Sequence, residues 1–186
     1  MNRRLAQGIS ADTETPSVPP SVAVVALGAN LGDRAATMTE AVQQLARMPL
    51  TTEIIASAPI ETVALTADGP DPQAPAYLNA VALVHTRLAP SVLLEYLHAI
   101  EAHHGRPPRD RDAARWQSRT LDLDLITYGD VRSADPALLL PHPRAAERDF
   151  VLRPWLTVDP DAELPGYGRV AELLQRLRDT AAEEHS

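Results

Sequence analysis

The stretch LDLDLITY, residues 121–128, repeats its leucines at every second position. That is the period of a strand, in which successive side chains point to opposite faces. Leu121, Leu123 and Leu125 therefore share one face, turned toward covering helices. Asp122 and Asp124 share the other, with alpha carbons about 6.6 Å apart. A strand that is greasy on one side and doubly acidic on the other belongs in a sheet packed on one face only.

Working outward, the pattern extends to a complete fold. Upstream, residues 105–119 form a polar, arginine-rich loop. Before it, Pro90 opens a helix through residue 104, with Leu93, Leu97 and Ile100 on its apolar side. YLNAVALVHT, residues 77–86, is a strand placing Asn79, Val81 and Leu83 on one face. Residues 58–76 hold several prolines and read as a long loop. Residues 51–57 read as another strand. Before that lies a helix to about residue 48, capped by Asp33, and a buried strand at residues 22–27. Residues 28–33 make the tight turn between them. Downstream of the acidic strand, GDVRS turns into a short strand. A proline-punctuated segment and a helix over about 170–181 follow. The order β-α-β-β-α-β predicts an α+β fold of ferredoxin-like type. Its antiparallel sheet would carry helices on one face, with a C-terminal helical extension. Residues 1–20, rich in Pro, Ser, Thr and Ala, read as a flexible tail. Residues 21–186 read as a single domain.

Composition narrows the chemistry. All 17 basic residues are arginine, which removes any mechanism built on lysine, and the chain has no cysteine. The formal net charge of -8 argues against a nucleic-acid partner. No apolar run approaches the roughly 20 residues that a membrane helix needs. The expectation is a cytoplasmic protein acting on small molecules.

Paired carboxylates at this spacing can converge on hard cations, and magnesium favours a few carboxylates together with phosphate oxygens. Arg106, Arg109, Arg111, Arg115 and Arg119 lie just upstream; His142, Arg144 and Arg148 lie downstream. Forked guanidinium donors beside paired acids suit a metal–polyphosphate complex. A solvated strand face beside a surface loop, its arginines paired with Asp110 and Asp112, uses the same residues. The residues alone leave both readings open. They also leave open a nucleotidyltransferase and a binding module without catalysis.

Five segments share a further property. ALGANLGD (26–33), YLNAV (77–81), IEAHHGR (100–106), RWQSRTLDLDLITYG (115–129) and PHPRAAERDFVLRP (141–154) resemble, in order, the 6-hydroxymethyl-7,8-dihydropterin pyrophosphokinases of folate biosynthesis. The resemblance implies ATP-dependent pyrophosphoryl transfer to the hydroxymethyl group of the reduced pterin, releasing AMP. By matched position, Asp122 and Asp124 would bind two Mg2+ ions. Arg106 and Arg119 would hold the phosphates and stabilise charge during transfer. His98, Glu101, Arg115, Trp116, His142 and Arg148 would contact the nucleotide, with Trp116 in a mobile arginine loop. Tyr77 and Phe150 would sandwich the pterin, Asn79 would bond its edge, and Thr62 would sit in the pterin loop. This chain departs from the family pattern at Val63 and Ala64, after the threonine, and at Gln117 and Ser118.

Overall fold

The structure, a computed structural model, describes residues 19–66, 69–105 and 120–183. All but the last two residues of the expected tail lie outside these, as do Arg106, Arg109, Arg111, Arg115, Trp116 and Arg119. The chain runs β1 (Ser21–Ala29), α1 (Arg34–Ala46), β2 (Thr51–Ala56), β3 (Ile60–Thr62), β4 (Ala64–Thr66), β5 (Gly69–Asp71), β6 (Tyr77–Thr86), α2 (Pro90–His103) and β7 (Asp122–Tyr128). It continues through β8 (Ser133–Asp135), β9 (Leu138–Leu140), a 3-10 turn (Ala145–Glu147), α3 (Asp149–Val158), β10 (Glu163–Leu164), β11 (Gly168–Arg169) and α4 (Val170–Glu183).

The main sheet has the order β2-β6-β1-β7. Every neighbouring pair in it is antiparallel, and β3 adds to β6 as well. The fold is thus α+β with an antiparallel sheet. β6 and β1 lie in the centre because their sequences are apolar on both faces. Ala23, Val25 and Leu27 of β1 join Met38, Ala41 and Leu45 of α1 and Leu93, Leu97 and Ile100 of α2 in one core. Asp33 starts α1 by accepting the Ala36 amide at 3.0 Å, and Pro90 occupies the first turn of α2.

The opposite face is not bare. Val24, Val81, Leu83 and Ile126 meet Val151, Leu152 and Trp155 of α3 and Val170, Leu173 and Leu174 of α4. α1 and α2 share one face as expected, while the C-terminal region covers part of the other. α4 corresponds to the expected C-terminal helix. α3 was hidden inside the proline-punctuated segment, because Pro154 falls within it and proline normally argues against a helix. Burial of Val151, Leu152 and Trp155 outweighs that penalty. The expected loop over 58–76 likewise contains β3, β4 and β5. Each has only three residues, too few for alternation to show.

β7 forms although aspartate disfavours strands. Propensity differences span about 1 kcal/mol, whereas each buried large aliphatic side chain contributes about 1.5–3 kcal/mol. Leu121, at its threshold, and Leu123 and Ile126, within it, are fully buried. Its register against β1 slips once. Val25 faces Leu125 and Val24 faces Thr127, so Ile126 is skipped. Alternation puts Ile126 in the α3/α4 core, and the bulge after it returns Tyr128 to the α1/α2 core. There the Tyr128 hydroxyl donates to the Leu88 carbonyl. The outer edge of β7 is also engaged. The Leu123 amide donates to Glu101 Oε1 at 2.8 Å, and the His142 amide donates to the Ile126 carbonyl at 2.8 Å.

Candidate active site

Side chains from three strands line up where α3 and α4 leave the sheet open. Register places Asn79 of β6, Gly28 of β1 and Asp122 of β7 in one row. The next row holds Val81, Ala26 and Asp124. Gly28 keeps the first row open: a Cβ there would sit 3.4 Å from Asn79 Oδ1 and 4.0 Å from Asp122 Cβ. Any side chain at position 28 would occupy the space between the amide and the acid. Asp122 and Asp124 are half-buried and share this face, as their alternation requires.

Arg148 closes one side. Its Nη1 donates to Asp124 Oδ2 at 2.9 Å, with both side chains 20% exposed. The same guanidinium carbon lies 5.6 Å from the centre of the Phe150 ring, within cation–π range. Phe150 is half-buried against the α3/α4 core. His142 stands nearby. Its Nδ1 accepts the Arg144 amide at 3.2 Å, so the neutral ring carries its proton on Nε2. Burial pushes the His142 pKa below the ordinary 6.5. The charges of Asp124 and Asp122 oppose that shift, while Arg148 and Arg144 add to it. Near neutral pH the ring is therefore an uncharged donor at Nε2.

The expected pterin contacts also come together. β3 pairs with β6 so that Thr62 opposes Tyr77 and Ile60 opposes Asn79. Asn79 is 6% exposed, and its Nδ2 donates to Thr62 Oγ1 at 2.8 Å. That bond fixes the amide's orientation and turns Oδ1 toward the gap over Gly28. α3, which carries Phe150, packs on both β6 and β3.

Two residues lie apart from this open face. Glu101 is 1% exposed on α2 and holds the backbone between Asp122 and Asp124 through the Leu123 amide. Its carboxylate supports the acidic strand from the edge. His98, half-buried, precedes it by three residues on the same side of α2. Sequence reasoning missed the walls of a pocket of about 190 Å3, which include Leu94, Leu123, Leu125 and Leu138 beside Asp124 and His142. Nothing in the sequence separates those leucines from ordinary core residues.

Two carboxylates, both hard oxygen donors, fit magnesium, which takes one or two from protein and fills its shell with water and phosphate oxygens. Among the described residues no group of three or more His, Asp or Glu gathers to form a closed metal cage.

The sequence profile of the 7,8-dihydro-6-hydroxymethylpterin-pyrophosphokinase (HPPK) family matches residues 24–160, a span that holds every site residue described above. The chain belongs to this family. A 2-amino-4-hydroxy-6-hydroxymethyldihydropteridine pyrophosphokinase of Pseudomonas aeruginosa is 39% identical over 152 residues, 81% of this chain and 88% of the relative. The Haemophilus influenzae protein of the same name is 33% identical over 157 residues, 84% of this chain and 93% of the relative. Among solved structures, Plasmodium falciparum wild-type HPPK-DHPS with SDX-DHP superposes with a TM-score of 0.61 at 13% identity, over 89% of this chain and 45% of that one. An HPPK-DHPS in complex with substrates gives 0.62 at 11% identity, over 89% and 45%. This chain spans less than half the length of those solved chains, and at such identities the likeness speaks for the HPPK fold. No helix among the described residues is long and apolar enough to cross a membrane.

Proposed function

We propose that the protein transfers the pyrophosphoryl group of ATP to the hydroxymethyl group of 6-hydroxymethyl-7,8-dihydropterin, releasing AMP, in folate biosynthesis. The observation that carries this reading is one continuous face. It holds Asn79 and Asp122 across the gap at Gly28, with Asp124 bonded to Arg148 beside them. An amide that can read a heterocycle edge lies across from acids that can hold a cation-bound polyphosphate. Family membership over residues 24–160 supports it.

The strand order supports a ferredoxin-like architecture. With the short strands set aside, β1-α1-β2-β6-α2-β7 is a β-α-β-β-α-β chain whose two helices share one core.

Asp122 and Asp124 would hold two magnesium ions. When bound, magnesium neutralises phosphate oxygens and lowers the cost of charge moving onto AMP. Arg148, already at the acids, would move its fork to phosphate oxygens. His142 would donate from Nε2 to a phosphate oxygen. The pocket beside Asp124 and His142, walled by leucines and prolines, suits the flat base of the nucleotide. Glu101, and His98 one turn before it, would serve the nucleotide side by fixing β7. Tyr77 and Phe150 would flank the pterin ring, with Asn79 and Thr62 along its edge. Stacking of this kind is worth about 1–3 kcal/mol per aromatic, by analogy with nucleobases. Arg106, Arg119, Arg115 and Trp116, outside the described residues, would supply the remaining phosphate contacts.

The hydroxymethyl oxygen would attack the beta phosphorus, and the bond from that phosphorus to the oxygen of AMP would break. Such a step depends on positioning and charge stabilisation. Incubation with ATP, magnesium and the pterin should release AMP, and Asp122→Ala should abolish that release while leaving the protein folded. Release of pyrophosphate instead of AMP would show nucleotidyl transfer and refute the proposal.

A further inference from the structure

The first residue of α1 reaches a place that the proposed reaction does not use. Arg34 Nη2 lies 3.1 Å from Glu61 Oε2, and its Nη1 donates to the Ala76 carbonyl. Glu61 directly precedes Thr62, and Ala76 directly precedes Tyr77. One guanidinium thus ties together the two chain segments that carry the proposed pterin contacts.

The tie is made from behind. Glu61 opposes Leu78 in the β3–β6 register, and Leu78 packs against the α1/α2 core. Thr62, Tyr77 and Asn79 alternate to the other face, where Asn79 bonds Thr62. Arg34 therefore has no path to a ligand on the open face except through the residues it holds. Its own anchor is firm. The Asp33 cap fixes the helix start, and Thr37 and Met38 are buried one turn on. The turn that leads into Arg34 starts two residues after Gly28, the gap between Asn79 and Asp122. The floor of the site and its pterin wall are joined by one side chain.

β3 needs such a tie. It has three residues, and it pairs with the Tyr77 end of β6 on the edge away from β1. The Arg34 and Glu61 side chains are 30% and 60% exposed. A pair so exposed contributes little to global stability, so its main effect is local placement.

We propose that Arg34 is a positioning residue for the pterin, a clamp behind the sheet that sets the distance of Thr62 from Tyr77 and Asn79. This rests on the pterin assignment above. In Arg34→Ala the KM for 6-hydroxymethyl-7,8-dihydropterin should rise about fivefold, the scale of one lost exposed charged pair. The kcat and the KM for ATP should stay within about twofold. Glu61→Gln, a surface change that spares the fold, should reproduce part of the pterin effect. Combining the two should add little to Arg34→Ala alone, because both cut one contact. Arg34→Lys should restore only part of the affinity, since a single ammonium cannot span both acceptors as a fork does.

Calorimetry of the pterin with magnesium and a non-hydrolysable ATP analogue separates the two levels of the argument. If the wild-type protein takes up the pterin and neither Arg34→Ala nor Glu61→Gln weakens it, the clamp is refuted and the pterin reading stands. Equal losses for ATP and pterin also refute the clamp, because they mark a general structural role. If the wild-type protein does not take up the pterin, the functional reading falls and the clamp with it.

Discussion

Replacing Arg148 with methionine should make the protein less stable and better at binding magnesium. The change keeps the length and apolar stem of the side chain and removes its charge. In the native protein that charge sits 2.9 Å from Asp124, with both side chains 20% exposed. Fully exposed pairs are worth about 0.2–1 kcal/mol, and breaking a fully buried pair costs about 3–5 kcal/mol. One-fifth exposure lies between, so the variant should lose about 1–2 kcal/mol. At about 2–4 °C per kcal/mol for a domain of this size, its melting temperature should fall by about 3–6 °C. With the guanidinium gone, Asp122 and Asp124 share their face with one positive charge fewer. A divalent cation then gains attraction and no longer competes with Arg148. A tenfold rise in affinity is about 1.4 kcal/mol, within the range of the interaction removed. Melting curves across a magnesium titration, without nucleotide, read both effects, and manganese binding by electron paramagnetic resonance gives the affinity independently. Pyrophosphoryl transfer should still fall, because Arg148 is assigned to the phosphates. Equal stabilisation of both proteins by magnesium, or weaker cation binding in the variant, would refute the view that guanidinium and cation share Asp124.

Gly28→Val should leave the fold standing, because its first carbon meets Asn79 Oδ1 at an ordinary 3.4 Å. Its methyls should fill the gap and weaken pterin binding by more than about tenfold, an overpacking penalty on the ligand; calorimetry measures it. Glu101→Ala should cost about 3 kcal/mol in chemical denaturation, since the Leu123 amide loses its buried acceptor. Glu101→Gln keeps an acceptor oxygen and should cost less; equal costs would show that the hydrogen bond is not what matters. His142 has a folded pKa below 6.5. Above 6.5 its ring is neutral in both states and its contribution is complete. As pH falls below 6.5 the unfolded chain takes up the proton first, so stability is lost progressively toward the folded pKa. The loss of urea midpoint over that range should be smaller in His142→Gln.

Periodicity carried much of this fold. The alternation of LDLDLITY placed the leucines in the core and the aspartates on one face, and the apolar stripe of α2 marked its buried side. Short-range rules failed where tertiary burial overrode them. Pro154 argued against α3, yet Trp155 beside it is nearly fully buried. Three-residue strands such as β3 are stabilised by their partner and carry no pattern of their own. The site was legible where side chains bear charge. Asp122, Asp124, His142 and Arg148 stand out in any polar reading, and the structure brings them together. Glu101 came in only through the family resemblance, and its burial and its bond to Leu123 could not be foreseen without knowing which edge of β7 is exposed. The Leu94 and Leu138 walls were silent, because a leucine lining a pocket and a leucine in a core look the same until the sheet is assembled.

The skipped residue in β7 has a consequence for how this architecture can change. By stepping over Ile126, the strand lets its far half settle into the protein's interior while its near half keeps an independent alignment beside Gly28. The Ile126 carbonyl, meanwhile, tethers His142. Pairing the same residues in strict turn, with Ile126 kept in the ladder, would tidy the match with β1 and reverse the facing of one half of the strand. Either the acids would turn inward or the tyrosine would turn out. An ideally regular pairing of this sequence is thus one that this placement of acids and tyrosine cannot use.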